Sequence, residues 1–203
     1  MVRSIRSLGP VILVVALVSC ATDGRTLAPS TAQQTETVAI APTVTTVSIA
    51  DTFSIRGSWS DGGDLDAKFT CFGDEISPAF EIVAAPEQTV SLAVLLYDVD
   101  SPGEVLWAMA NIAGDTVAIG EGATPPDVIL ATNSAGNPGY QAPCPSAGER
   151  RQYLLTVFAL DAVVDPAEVT GDGGEVEPDA LLTAIEMRAF DLAESTFYVQ
   201  APE

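Results

Sequence analysis

The chain has 203 residues, with 8 Lys and Arg against 28 Asp and Glu, no His, 3 Cys and 47% apolar residues. That length holds one domain of about 150 residues with appendages, enough to bury a core without staples. A formal charge of −20 repels nucleic acid and acidic lipid surfaces, excluding a binder that neutralises phosphates, and the missing His removes Ser-His-Asp triads, Cys-His dyads and the usual zinc sites.

At the front of the chain, Arg3 and Arg6 precede an apolar run from Val11 to Val18 that leads into Leu17-Val18-Ser19-Cys20. A basic start, a short apolar run and a small residue before a cut make a secretory signal. The run falls far short of the roughly 20 residues a membrane span needs. Its Leu-Val-Ser-Cys tail resembles the lipobox of bacterial lipoproteins. On that reading residues 1–19 are a signal peptide, and Cys20 is the mature first residue and carries a lipid. The expected location is the outer face of the bacterial cell membrane. An ordinary secreted protein cut near Ala21 is the alternative. Residues 20–50 are rich in Thr, Ala, Pro, Ser and Gln and offer little to bury, so they read as a flexible tether. Thr43 to Ile49 is a candidate first strand within them.

Residues 51–203 read as the folded domain, and their pattern is mainly β. Ser91 to Tyr97 is an almost unbroken apolar run bounded by Pro86 and by a turn from Asp98 to Gly103, which predicts a strand buried on both faces. Val105 to Ile112, Val128 to Ala131 and Tyr153 to Leu160 read the same way, and Phe197 to Gln200 is a closing strand. Pro178 sits at a helix start, with Leu181, Leu182, Ile185 and Ala189 at helical spacing. The strands do not alternate regularly with helices, so the fold class is mainly antiparallel β with a small helical share. The acidic, Gly-containing stretch from Asp161 to Glu177 reads as a long surface loop. Asp172, Glu175, Glu177 and Asp179 lack the spacing of a calcium loop, so no metal is assigned there.

With Cys20 lipidated, Cys71 and Cys144 remain in an exported domain. An even pair in an oxidising compartment is most simply a disulfide, with two buried free thiols as the alternative. Neither has a His to act as its base.

Four segments, in order, resemble the phosphatidylethanolamine-binding protein family and specifically its bacterial Raf-kinase-inhibitor-like branch. Phe69-Thr70-Cys71-Phe72-Gly73-Asp74-Glu75-Ile76-Ser77-Pro78 is similar to Y-T-C-D-G-E-N-I-S-P. Leu95 to Gly103 is similar to the strand ending in D-P-D-A-P, and Asn133 to Pro145 to N-D-F-G-x-x-G-Y-x-G-P-C-P-P. Arg151 to Asp161 is close to H-R-Y-x-F-T-V-Y-A-L-D. The resemblance implies a single domain with a large central antiparallel sheet, a second smaller sheet, a few short helices and a small pocket at the sheet edge. It further implies a binding or inhibitory module without catalysis or cofactor, whose ligand is a small anion or phospholipid headgroup, and it supports pairing of Cys71 with Cys144.

The departures fall in that pocket. Asp98, Asp100, Pro143 and Tyr153 match the family's pocket residues, but the first His position falls on Leu106, the second on Arg151 and the Arg of H-R-Y on Gln152. Losing both imidazoles removes the donors that meet a phosphate. Arg151 either clamps an anion with its fork of donors or serves as a structural partner of Asp98. Arg150 is expected on the opposite strand face, solvated. Asp98 and Asp100 either cap the turn that follows or share a face for acid and base chemistry. Trp107 and Tyr153 read as core, and Tyr140 as an exposed wall at the pocket mouth. With Ala142 where the family has Gly, that loop turns without a positive φ there. The candidate ligand-binding set is therefore Asp98, Asp100, Tyr140, Pro143, Arg151 and Tyr153. Three functions compete: a membrane-tethered binding module with an altered pocket, a protein-interaction or inhibitor module with a vestigial one, and, least supported, a hydrolase using Asp98 or Asp100.

Overall fold

The computed structural model describes residues 51–203. The signal peptide, Cys20, the tether and the candidate strand at Thr43 to Ile49 lie outside the described residues. The strands are β1 (Ser54–Gly57), β2 (Gly63–Asp64), β3 (Phe80–Val83), β4 (Ser91–Asp98), β5 (Ser101–Ala113), β6 (Ala118–Ile119), β7 (Ile129–Leu130), β8 (Arg150–Leu160) and β9 (Ala189–Gln200), and the α-helices are α1 (Pro166–Val169) and α2 (Pro178–Glu186). They form a six-stranded sheet in the order β2-β9-β8-β4-β5-β7 and a three-stranded sheet in the order β1-β3-β6. All pairings are antiparallel except the short β2–β9 contact.

The apolar run in β4 puts this strand at the centre, between β8 and β5. Alternate side chains point to opposite faces. Leu92, Val94 and Leu96 pack with Trp107, Leu155, Val157 and Phe197 against Phe80, Ile82 and Ile119 of the small sheet. Ala93 and Leu95 pack with Ala108, Ala110 and Leu160 against Val164, Val169, Leu181 and Ile185 of the helical layer. The domain is thus three layers with two cores, and β4 contributes to both. Burial on both faces is why its sequence lacks a period of two.

The helix at Pro178 forms with Leu181, Ala184 and Ile185 buried at the i, i+3, i+4 spacing of an amphipathic face. It ends before Ala189, which opens β9 instead. Arg188 closes the helix end by donating to the Ala184 carbonyl at 2.9 Å and pairs with Glu168 of α1 at 2.7 Å. A cation there also complements the helix dipole.

Several expected boundaries change. The closing strand runs twelve residues, Ala189–Gln200, because its first inward positions are filled by the small Ala193 and Ser195. The apolar alternation becomes visible only at Phe197 and Val199. Ser195 is buried without loss: its hydroxyl accepts from Trp59 Nε1 at 3.0 Å and donates to Asp61 at 3.3 Å. The expected long turn after β4 is a tight hairpin, with Asp98 paired to Ser101. The stretch from Val128 to Ala131 yields only the two-residue β7. Within the expected loop from Asp161 to Glu177, Asp165 caps α1 and Thr170 bridges to Val176.

Candidate functional site

At the end of β4, three residues of the candidate set converge. Arg151 and Tyr153, two apart on β8, present to one face, and Tyr153 lies directly across from Asp98 in the ladder. Leu106 occupies a bulge: Leu96 pairs with Trp107 and Tyr97 with Val105, leaving Leu106 as the extra residue on β5. Bulges re-aim side chains, and this one lets Leu106 line the same cavity as the other three. The cavity measures about 240 Å³ and is closed on its remaining sides by Glu104 and the loop from Gln141 to Ser146.

Asp98 is 3% exposed, and a buried carboxylate needs compensation. Arg151 supplies it as a fork, Nε to Oδ2 at 2.8 Å and Nη2 to Oδ1 at 3.1 Å, while Nη2 also donates to Ser101 Oγ at 3.0 Å. The Asp100 amide adds a bond to Asp98 Oδ1 at 2.9 Å, so the carboxylate caps the hairpin as well. Burial works against the Arg151 cation, but Asp98 outweighs it and holds the guanidinium pKa above its ordinary value. Of the two roles open to Arg151, partner of Asp98 is the one its geometry fulfils. Only Nη1 has no partner among the described residues.

Tyr153 stacks on Phe197 with ring centres 5.7 Å apart and is 2% exposed. Its hydroxyl makes no hydrogen bond to another described residue, and the ring lines the cavity. Burial raises its pKa first, the Asp98 charge raises it further, Arg151 opposes, and Glu104 and Glu149 add to the rise.

The other candidates sit elsewhere. Asp100 is exposed and lines a shallow hollow with Glu149, Arg150 and Arg151, so it does not share the cavity with Asp98. Arg150 pairs with Asp64 at 2.8 Å and lies over the Tyr198 ring. Tyr140, expected at an exposed mouth, is half-buried: it meets Trp107 edge-on at 5.6 Å, and its hydroxyl donates to the Phe69 carbonyl at 2.6 Å. Burial is the main cause of its raised pKa, with Tyr153 second. It lines a second hollow, with Cys71 and Glu75, on the far side of the Gln141 to Cys144 segment. Pro143 is buried, and its carbonyl accepts the Cys71 amide at 3.2 Å. These two residues therefore hold the cavity wall and do not face its space.

That wall is fixed at several points. Cys71 and Cys144 form a disulfide with Cα atoms 5.3 Å apart. The Gln141 amide donates to the Leu106 carbonyl at 2.8 Å, tying the loop to the bulge. Gly73 lets the Cys71 segment fold onto the short 3-10 turn Ala67–Phe69, since a Cβ there would strike the Ala67 carbonyl. The left-handed backbone in the other segment falls at Gly136 and Gly139, φ 83° and 94°, and not at Ala142. Ser101 and Glu104 were not candidates from sequence. They follow a hairpin read as an irregular turn, so nothing in their spacing marked them.

The fold and its end-cavity define a two-sheet β scaffold with a polar pocket at the end of the central strand. The family model described as phosphatidylethanolamine-binding protein matches residues 56–200, and the chain belongs to that family. A UPF0098 protein of Methanothermobacter thermautotrophicus is 33% identical over 115 residues, covering 53% of this chain and 76% of the relative. A UPF0098 protein of Chlamydia pneumoniae is 32% identical over 140 residues, covering 66% and 88%. The crystal structure of a phosphatidylethanolamine-binding protein homolog from Chlamydia trachomatis superposes with a TM-score of 0.61 at 25% identity, covering 73% of this chain and 99% of that one.

Two outcomes follow from this geometry. The Cys71–Cys144 bridge closes a span of 73 residues, so replacing both by Ser lowers stability by about 4 kcal/mol through restored chain entropy. Urea unfolding of the double variant measures it, and a loss below about 1 kcal/mol refutes that contribution. Tyr140 and Tyr153 both have folded-state pKa values above the ordinary value of 10.0. Their protonated forms stabilise the fold below pH 10, and that contribution declines as pH rises from there, because the unfolded chain releases these protons first. Absorbance at alkaline pH, compared between the parent and Tyr153→Phe, tests whether this phenol ionises only well beyond the ordinary range.

Proposed function

We propose that this chain is a membrane-tethered, extracytoplasmic and non-catalytic binding module of the phosphatidylethanolamine-binding, Raf-kinase-inhibitor-like type. Residues 1–19 direct export, a lipid on Cys20 anchors the mature chain at the outer face of the bacterial cell membrane, residues 20–50 form the tether, and residues 51–203 bind. The observation that carries the binding reading is the polar cavity at the end of β4, lined by Asp98, Arg151 and Tyr153, whose wall is held by a disulfide and a bulge. A concave site with a few convergent polar groups on a rigid wall is the ordinary form of a small-ligand pocket. The ligand is a small polar molecule or a phospholipid headgroup. Asp98, Arg151 and Tyr153 face it, and Tyr140 and Pro143 shape the loop.

The non-catalytic reading rests on the commitment of Asp98 to Arg151 and on its separation from Asp100, so the two aspartates do not act on one space. Leu106 in place of an imidazole and the prior claim of Asp98 on Arg151 favour a second reading, a protein-interaction module with a vestigial pocket.

A thermal-unfolding panel of phosphoethanolamine, phosphoserine, glycerol phosphate and ethanolamine separates the two. At least one compound raises the midpoint at millimolar concentration and loses that effect in Tyr153→Phe. A flat panel overturns ligand binding and leaves the interaction reading. For the anchor, Cys20→Ser moves the protein from the membrane fraction to the soluble exported fraction; unchanged membrane association overturns the lipid assignment.

A further inference from the structure

The large sheet carries a second concave surface, on the face opposite the cavity at the end of β4. Helices α1 and α2 cover only part of that face, where the small Ala93, Ala108 and Ala110 let them sit close. Beside α2 the face opens into a groove of about 270 Å³ over β9, β8, β4 and β5. Its floor follows from the ladder: Leu192 lies opposite Phe158, and Glu194 opposite Thr156, which in turn faces Leu95. Leu182 and Glu186, four apart on α2, form the helix wall.

Most of this lining is apolar, yet it is not closed over, and Leu192 is 46% exposed. Apolar surface left at the rim of a groove gains when a partner covers it. The space is small for a whole organic ligand and suits one or two apolar side chains, as an interface anchor pocket does. The charged groups in its lining are Glu186 and Glu194, both exposed, and neither is in an ion pair among the described residues. Arg188, two residues past Glu186, is already taken by Glu168 and the Ala184 carbonyl. Glu186 also stands at the negative end of the helix dipole. A second copy is therefore the wrong occupant: pairing this groove with itself would bring four carboxylates together without a cation, in a chain of formal charge −20.

We infer that this groove docks a segment of another protein that carries one or two apolar side chains next to a lysine or arginine. The apolar groups seat on Leu95, Phe158, Leu182 and Leu192, and the cation meets the carboxylates at Glu186 and Glu194. The site is separate from the cavity at the end of β4 and does not rest on that cavity binding anything.

Selection from a displayed library of random short peptides on the full chain tests this. Enriched peptides combine Leu, Ile, Phe or Met with Lys or Arg, and the same selection on the double variant Glu186→Lys, Glu194→Lys enriches Asp or Glu in place of the bases. A purified enriched peptide loses about tenfold in affinity for Leu192→Ser, as expected for one lost anchor contact. All three positions are exposed, so these variants keep the fold, which an unchanged melting midpoint verifies. No enrichment overturns the inference, as do enriched peptides with no bias toward bases. Enrichment identical in the variants places the peptides elsewhere and overturns the groove. Sedimentation showing a dimer that Leu192→Ser dissociates gives the groove to a second copy and likewise overturns it. These results are independent of the ligand panel. A flat panel with basic, apolar peptides bound leaves this inference standing, and a ligand in the cavity with no peptide enriched removes this inference alone.

Discussion

A carboxylate that is 3% exposed at the end of a central strand must be matched by a cation, and here one arginine does the matching. The Asp98–Arg151 fork joins β4 to β8 where their ladder ends, and its third bond, to Ser101, reaches the first residue of β5. Three strands of the large sheet are thereby fixed at one point. The same contact sets the chemistry of the cavity beside it. A guanidinium spent on a neighbour has little left for a ligand, so Arg151 is first a structural partner of Asp98.

The scaffold around this point is over-determined. The disulfide, the Tyr140 bond to Phe69 and the Gln141 bond to Leu106 act on different parts of one loop, so loss of any single tie leaves the wall partly held. The bulge at Leu106 aims an apolar side chain into the space. The shape of the wall is thus set separately from the polar groups that face inward. This separation is physically reasonable: the wall is built from backbone bonds and covalent closure, which depend weakly on which side chains face inward.

How much of this was readable beforehand follows the kind of signal each element carries. The doubly buried β4 announces itself as an unbroken apolar run, and α2 by Pro178 with Leu181 and Ile185 in helical register. The disulfide pairing was legible because, on the expectation of export, the two cysteines of the folded domain leave few choices. The start of β9 was hidden because Ala193 and Ser195 pack inward without contrast to their polar neighbours. Tyr140 was misplaced because a Gly-rich turn reads as exposed, whereas tertiary contact with Trp107 and the Phe69 carbonyl draws the ring inward. Asp98 and Asp100 look equivalent in sequence, and only the tight hairpin sends one into the cavity and the other to the surface. Glu104 had no signal at all, since its meaning comes from what the strands bring near it.

The formal charge of −20 does not by itself make every site on the chain a cation site. At physiological ionic strength charges separated by more than about 8 Å are largely screened, so the distant carboxylates of the α1–α2 region contribute mainly to solubility and long-range steering. Selectivity at the cavity is decided within its own lining, where partly buried charges are screened far less. Among the described residues the ionisable lining is small: the Asp98–Arg151 fork, the Glu104 carboxylate and the Tyr153 hydroxyl. The acidic surface raises the local concentration of cations near the protein, and this effect falls with added salt.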